Sequence, residues 1–163
     1  MTSNCYIIDS SSLIELNRHN PIDVFPSVWK NMESLVNKSL LIAPKEVLNE
    51  IKKKDDQLAK WAKKQNNLFK DPTPKQIEIL KDILKNYPAL VKLDRKYNAD
   101  AWVIALAIEM ASGSQKTLLP IKRIVVTEEK LRGNKIKIPL VCQKYSIETI
   151  DIIDMFRIEG WKF

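Results

Sequence analysis

Apolar positions along the chain follow two rhythms. Residues 5–8 and 40–43 are unbroken apolar runs, and residues 124–127 are β-branched throughout. Each reads as a short buried strand. The first run ends in Asp9-Ser10-Ser11-Ser12, a polar turn leading into a helix over about 11–17 that is closed by His19-Asn20-Pro21. Residues 26–37 place Val28, Trp29, Met32, Leu35 and Val36 at helical spacing. After the second strand, Pro44 suits the first turn of a helix over about 44–54, which continues or restarts through Leu58, Trp61 and Ala62. Asp71-Pro72-Thr73-Pro74 is a clear break. Residues 76–86 follow as an amphipathic helix with Ile77, Leu80, Ile83 and Leu84 on one side. Asn98-Ala99-Asp100 opens a strongly apolar helix that runs to Ala111 and stops at Ser112-Gly113-Ser114. The strand after 124–127 falls near either 137–141 or 147–151, and the tail from residue 152 is a last short helix.

Short strands alternating with helices predict the α/β class: one domain over residues 1–163, a single-domain three-layer α/β/α sandwich around a central parallel sheet. At 163 residues a single core is large enough to hold without staples. Cys5 and Cys142, the only cysteines, both lie in apolar runs and read as buried free thiols in a reducing compartment. Two thiols exclude a metal–thiolate framework, and the lone His19 excludes His-rich metal sites. With three glycines in the chain, neither GxGxxG nor a P-loop can be written. Asp9 interrupts the first apolar stretch, so no leader is expected. The longest apolar run, 101–108, is far short of the ~20 residues of a membrane span. The expectation is a soluble, cytoplasmic protein.

Charge sharpens this picture. The chain carries a net +7, and residues 51–98, with 13 bases against 6 acids, hold a surplus equal to all of it. Lys52, Lys53 and Lys54 open the stretch, and Lys60, Lys63, Lys64 and Lys70 continue it. Such a run is the electrostatic footprint of a phosphate-backbone binder. A solvated helix face is the plainer explanation unless nearby chemistry uses a phosphate.

Acids at strand ends and helix starts supply such chemistry. Asp9 ends the first strand, Asp100 opens the apolar helix, and Glu128 and Glu129 follow the third strand; Glu46 and Glu50 lie one turn apart after 40–43. Ligands of open α/β sheets bind beyond the carboxyl ends of the strands. Asp9 and Glu129 belong there, and the helices carrying Glu50 and Asp100 can face the same rim. Each acid alone has an ordinary explanation. Asp100 complements a helix dipole, Glu46 and Glu50 form a solvated face, and Glu128 and Glu129 make a polar turn. Asp9, after three apolar residues, is harder to dismiss, because a buried carboxylate needs a partner. Carboxylates 4 Å apart repel by about 4 kcal/mol at an effective dielectric of 20, so a converging set calls for a cation. Oxygen ligands without His or Cys suit Mg²⁺ or Mn²⁺ rather than zinc. In front of a basic surface, such an ion points to phosphodiester chemistry.

Four segments, in order, carry a family likeness: Tyr6-Ile7-Ile8-Asp9-Ser10-Ser11, Pro44-x-Glu46-Val47-Leu48-x-Glu50-Ile51, Asp100-Ala101-Trp102-Val103-Ile104-Ala105-x-Ala107 and Val125-Val126-Thr127-Glu128-Glu129. Together they resemble the PIN-domain ribonucleases from about residue 5 to the tail. The likeness is nearest to a stand-alone prokaryotic branch of unknown function related to the VapC-type toxins. It implies a compact PIN-like α/β/α domain with an acidic pocket for one or two divalent ions. By motif, the family's first Asp falls on Asp9, its helix Glu on Glu50 and its second Asp on Asp100. The fourth acid falls on Glu129, one methylene longer than the family's Asp, with Thr127 as the hydroxyl that helps to order the site. Glu46 and Glu128 are extra acids to which the likeness gives no fixed role. Ser10 and Ser11 are expected to cap the first helix rather than to touch a metal-bound water.

The function expected is metal-dependent hydrolysis of RNA. Asp9, Glu50, Asp100 and Glu129 hold Mg²⁺ or Mn²⁺, and Lys52, Lys53, Lys54, Lys60, Lys63 and Lys64 draw in the backbone. For the toxin branch the partners are RNA and a cognate antitoxin protein, and homodimers are common in the family. The rival is a basic nucleic-acid-binding module of the same fold with weak or no activity, which the Glu129 departure allows and the presence of Asp9, Glu50 and Asp100 argues against. A phosphatase with Asp9 as nucleophile lacks the second Asp two residues on that such sites use. Trp102 lies in the apolar helix and reads as core, whereas Trp61, among lysines, stands between core and base-stacking platform.

Overall fold

The computed structural model describes residues 3–112 and 121–163. Five strands, β1 (Ser3–Ile8), β2 (Leu41–Pro44), β3 (Phe69–Lys70), β4 (Ile121–Val126) and β5 (Glu148–Ile150), form one sheet in the order β3-β2-β1-β4-β5. Every pairing is parallel. The helices are α1 (Ser10–His19), α2 (Pro26–Asn37), α3 (Lys45–Lys54), α4 (Asp56–Lys63), α5 (Pro74–Asn86), α6 (Asp100–Ser112), α7 (Ile138–Lys144) and α8 (Ile152–Glu159). From β1 the chain moves outward to β2 and β3, then returns to the opposite side of β1 for β4 and β5. Crossovers of one hand place those two sets of connections on opposite faces. The result is the α/β/α sandwich expected from the alternating pattern.

Burial explains why the central strands read as unbroken runs. Tyr6, Ile7 and Ile8 of β1 and Ile124, Val125 and Val126 of β4 are enclosed on both sides. Helix α6 is apolar almost all round, which suits its central place. It packs on β1, β2 and β4 and is itself flanked by α5 and α7, while α2 covers β2. The Tyr6 hydroxyl donates to Glu159 Oε1 at 2.7 Å and fastens the last turn of α8 to the central strand. Cys5 and Cys142 are buried and unpaired. Among the described residues no helix is long and apolar enough to cross a membrane.

Several boundaries differ from expectation for identifiable reasons. Helix α1 begins at Ser10, with Asp9 at the cap position and no side chain capping it; the serine hydroxyls are engaged elsewhere. Pro44 is the last residue of β2, opposite Lys70, rather than part of the α3 turn. A strand end tolerates its missing N–H. The chain restarts at α4, where the Asp55 carboxylate accepts the Leu58 N–H at 3.0 Å. Strand β3 is two residues long, too short to leave a pattern. In α5 the inward positions include Gln76, while Ile77 is exposed. The 137–141 alternative is the helix α7, with Pro139 in its first turn, and β5 realises the other one. The expected stop of α6 at Gly113-Ser114 lies outside the described residues. Gly160, at φ 70°, ends α8 in the left-handed conformation that glycine adopts at little cost.

Candidate functional site

The strand order reverses between β1 and β4, and at such a switch point the two carboxyl ends open a crevice. The Asp9 N–H donates to the Val126 carbonyl at 2.9 Å, carrying the β1–β4 ladder one step past the strands. Asp9 is 2% exposed. Its Oδ2 accepts the Ser11 hydroxyl at 2.8 Å and the Thr127 hydroxyl at 3.1 Å, while Oδ1 is buried with no partner among the described residues. Serine side chains thus serve the acids instead of capping α1. Ser10 donates to Glu50 Oε1 at 3.0 Å, and Ser12 to Glu128 Oε2 at 2.6 Å.

The four expected acids, Asp9, Glu50, Asp100 and Glu129, come from four different parts of the chain, and Asp100 lies within electrostatic reach of the other three. Burial pushes the Asp9 carboxyl above its ordinary range and the Glu129 charge adds to this, against the Ser11 and Thr127 hydroxyls. Burial raises Glu50 as well, then the Asp9 charge; Ser10, Lys54 and Arg95 oppose the rise. Asp100 is pushed up to about 8, first by burial and then by Asp9, Glu129 and Glu50. Helix N-termini offset part of this mutual repulsion, because α1 starts beside Asp9 and α6 starts at Asp100. The Cys142 thiol, also near Asp9 and Glu129, is pushed up to about 12, chiefly by burial, and so stays protonated.

Glu129 is shared between this centre and α7: its Oε2 accepts the Ile138 N–H at 3.0 Å. Its own N–H donates to the Thr127 hydroxyl at 3.2 Å. Glu128 is turned away, with Oε2 accepting the Ser12 hydroxyl and, at 3.2 Å, the Ile152 N–H at the start of α8. It joins α1 to α8. Glu46, half-buried, borders a separate cleft with Leu80, Asn98 and Trp102, and does not meet the acids. Trp102 is thus half-buried at a cleft wall. Trp61 is core: 6% exposed, edge-on to Trp29 with ring centroids 4.7 Å apart, and donating its indole N–H to Glu33 Oε1 at 2.9 Å.

A cleft of about 640 Å³ opens beside Glu129, the one acid of the four that lines it, between Ser11 and Glu128, with Glu15, Arg18, Lys54, Arg132 and Lys137 on its walls. Lys54, Arg132 and Lys137 make no ion pair with any described residue, whereas Lys130 is paired with Asp151 at 2.8 Å. Lys53 and Lys54 also line a smaller cavity behind Glu50, and Lys52 borders a groove with Asn49 and Tyr97. Lys60, Lys63 and Lys64 are exposed on or just beyond α4 and line neither opening onto the acids. Arg132 and Lys137 escaped the sequence reading because acids elsewhere in residues 99–163 dilute the average. A short window would have found them, since Lys130, Arg132, Lys135 and Lys137 fall within eight residues.

The donor set suits a hard divalent cation: carboxylate oxygens, one of them orphaned and buried, from groups whose charges oppose one another. As the side chains stand, no three acidic, histidine or cysteine side chains among the described residues are close enough to grip one ion. Asp9, Glu50 and Asp100 are the residues that would hold it, with Glu129 on the outer side. A family model described as a domain of unknown function, DUF4411, matches residues 6–163. The chain belongs to the DUF4411 family. The matched span of this DUF4411 chain takes in all four acids and the cations of the cleft. No curated protein matches it.

Proposed function

We propose that this DUF4411 chain is a PIN-like, Mg²⁺- or Mn²⁺-dependent endoribonuclease related to the VapC-type toxins. The observation carrying this reading is that Asp100 lies within electrostatic reach of Asp9, Glu50 and Glu129 at the β1–β4 switch point, with the buried Asp9 Oδ1 unpaired among the described residues and cations around the neighbouring cleft. A bound divalent ion supplies polarisation of the phosphoryl oxygen and a bound water of lowered pKa. The chain's own residues do the rest. Ser11 and Thr127 fix the Asp9 carboxylate by its Oδ2 and leave Oδ1 free for the cation. Ser10 orients Glu50 in the same way. Lys54, Arg132 and Lys137 hold the RNA backbone across the cleft, so that its phosphate lies over the acids. In the toxin branch the natural restraint on such an activity is an antitoxin protein, and a homodimer is the assembly to look for.

Two observations favour a second reading, a basic RNA-binding module with little activity. Glu129 spends one oxygen on the Ile138 N–H, and no three acids yet converge. Incubation of end-labelled RNA with the protein in Mn²⁺, in Mg²⁺ and in EDTA separates the two. Cleavage is expected with either metal and is lost in EDTA and in Asp9→Asn, while RNA binding by that variant is retained or tightened. Cleavage surviving Asp9→Asn rejects the metal-centre reading; binding without cleavage in every metal establishes the module.

A further inference from the structure

Behind Glu50 lies a cavity of about 210 Å³, walled by Lys53 and Lys54 from the last turn of α3 and by Arg95, Lys96 and Tyr97 from the loop before α6. Asp94 is the only other acid on its wall. Four cations therefore face two carboxylates in a space smaller than the roughly 300–1,000 Å³ that encloses a drug-sized molecule. None of the four makes an ion pair with a described residue. Arg95 comes near enough to Glu50 to oppose part of the rise that burial and Asp9 impose on its carboxyl, yet stops short of bonding it. Its guanidinium, with a fork of donors matched to phosphate oxygens, has no hydrogen-bond partner among the described residues.

The loop presenting it is closed by one side chain. Asn98 Oδ1 accepts the Lys92 N–H at 2.8 Å, its Nδ2 donates to the Arg95 carbonyl at 3.3 Å, and the Arg95 N–H returns to the Lys92 carbonyl at 3.0 Å. Two residues later the chain reaches Asp100, so the same staple positions the loop and an acid of the centre. Tyr97 is half-buried in the wall, its hydroxyl bonded to no described residue, with the Lys96 ammonium 5.4 Å from the ring centroid. An aromatic ring beside unpaired cations is the pairing that single nucleotides recognise, base on ring and phosphate on cation.

We propose that this cavity is a nucleotide subsite of the RNA-binding surface: Arg95, with Lys53 and Lys54, takes the phosphodiester adjoining the one held at the acids, and Tyr97 stacks its base. The assignment rests on the reading of the acids as an RNA-cleaving centre. Asn98 is its positioning residue.

The test measures binding of a fluorescein-labelled single-stranded RNA octamer in EDTA, where cleavage plays no part. Wild type is compared with Arg95→Ala, Tyr97→Ala, Tyr97→Phe and Lys85→Ala. Tyr97→Ala is expected to weaken binding roughly tenfold and Tyr97→Phe hardly at all, since stacking needs the ring and not the hydroxyl. Arg95→Ala should weaken binding and reduce the salt slope by about 1, whereas Lys85→Ala, on the exposed last turn of α5, should match wild type. Normal binding by both Arg95→Ala and Tyr97→Ala overturns the subsite, and if wild type still cleaves in Mn²⁺ the centre stands without it. Loss of binding in those variants, in a protein that cleaves nothing, upholds the subsite and removes the nuclease. Poly-glutamate displacing the RNA at equal charge, with Tyr97→Ala unaffected, marks a general cation patch or a protein-docking face and overturns it as well.

Discussion

The Thr127 hydroxyl donates to Oδ2 of Asp9 across 3.1 Å, tying the end of β4 to the end of β1 at the point where the sheet reverses its order. The bond joins residues 118 apart in the chain. With the Ser11 hydroxyl it supplies the hydrogen bonding that a carboxylate needs when taken out of water. Replacing Thr127 by valine keeps the shape and removes both this donor and the acceptor of the Glu129 N–H. A typical hydrogen bond contributes about 0.5–1.5 kcal/mol and one to a charged group about 1.5–3, so Thr127→Val should lower the melting temperature by several degrees at roughly 2–4 °C per kcal/mol for a chain of this size. Thr127→Ser should recover most of it. Thermal melts of the three proteins check this.

Asp100 gives the fold a pH dependence of definite sign. Its carboxyl is held near 8 in the folded protein against an ordinary value of 3.8, so between those limits the folded state keeps a proton that the unfolded chain releases. Stability from this group is complete below about pH 4 and is lost as pH rises through 8. In EDTA between pH 5 and 8.5, wild type should melt progressively lower relative to Asp100→Asn. By pH 8 the variant should be ahead by several degrees. Mn²⁺ at millimolar concentration should then raise wild type alone, by about 2.7 kcal/mol at 100 times the dissociation constant. Parallel melting curves with pH would show that the Asp100 carboxyl is not confined.

Glu129 has a structural duty at the start of α7 and, under the proposed function, a chemical one, and two variants divide them. Glu129→Gln keeps an oxygen for the Ile138 N–H, so it should melt close to wild type while losing cleavage by a hundredfold or more. Glu129→Asp is one methylene short and should release the start of α7, at about 0.5–2 kcal/mol, the range for a lost helix cap. If Glu129→Gln is as active as wild type, Glu129 belongs to α7 alone.

Trp61 is edge-on to Trp29 and bonded to Glu33. Trp61→Ala should cost about 3–5 kcal/mol, as for large-to-small changes in a core. The protein that remains folded should bind RNA as wild type does. A stable Trp61→Ala protein with impaired RNA binding would instead make Trp61 a stacking surface.

Much of this architecture was legible in the residue pattern. Helix α2 spans the expected 26–37, because its apolar positions repeat cleanly and Pro26 marks its start. Asp9 and Asp100 were legible as acids at a strand end and a helix start, positions a parallel sheet brings to one rim. What escaped depends on contacts between segments remote in sequence. The serine hydroxyls looked like caps until the neighbouring strand and helix showed which carboxylates they meet. Trp61, among lysines, stood between core and stacking platform because composition does not say that its indole packs edge-on to Trp29. Gln76 lies inward while Ile77 is exposed, a rotation of α5 that apolar spacing alone assigns the other way. The lysines counted along residues 52–64 are split by folding: Lys53 and Lys54 share openings with Glu50 or Glu129, Lys52 borders a separate groove, and those on and just beyond α4 line none of these.

The pairing of β1 with β4 also sets an order of events during synthesis. Asp9 emerges from the ribosome early, but its partner Thr127 follows 118 residues later, and the β1–β4 ladder that seats both cannot close before then. Domains of this size fold as units during or after translation, and contacts this remote form late. A nascent chain therefore carries separated acids and no assembled centre. Any chemistry that needs the four acids together would be absent until residues 127–129 have left the ribosome.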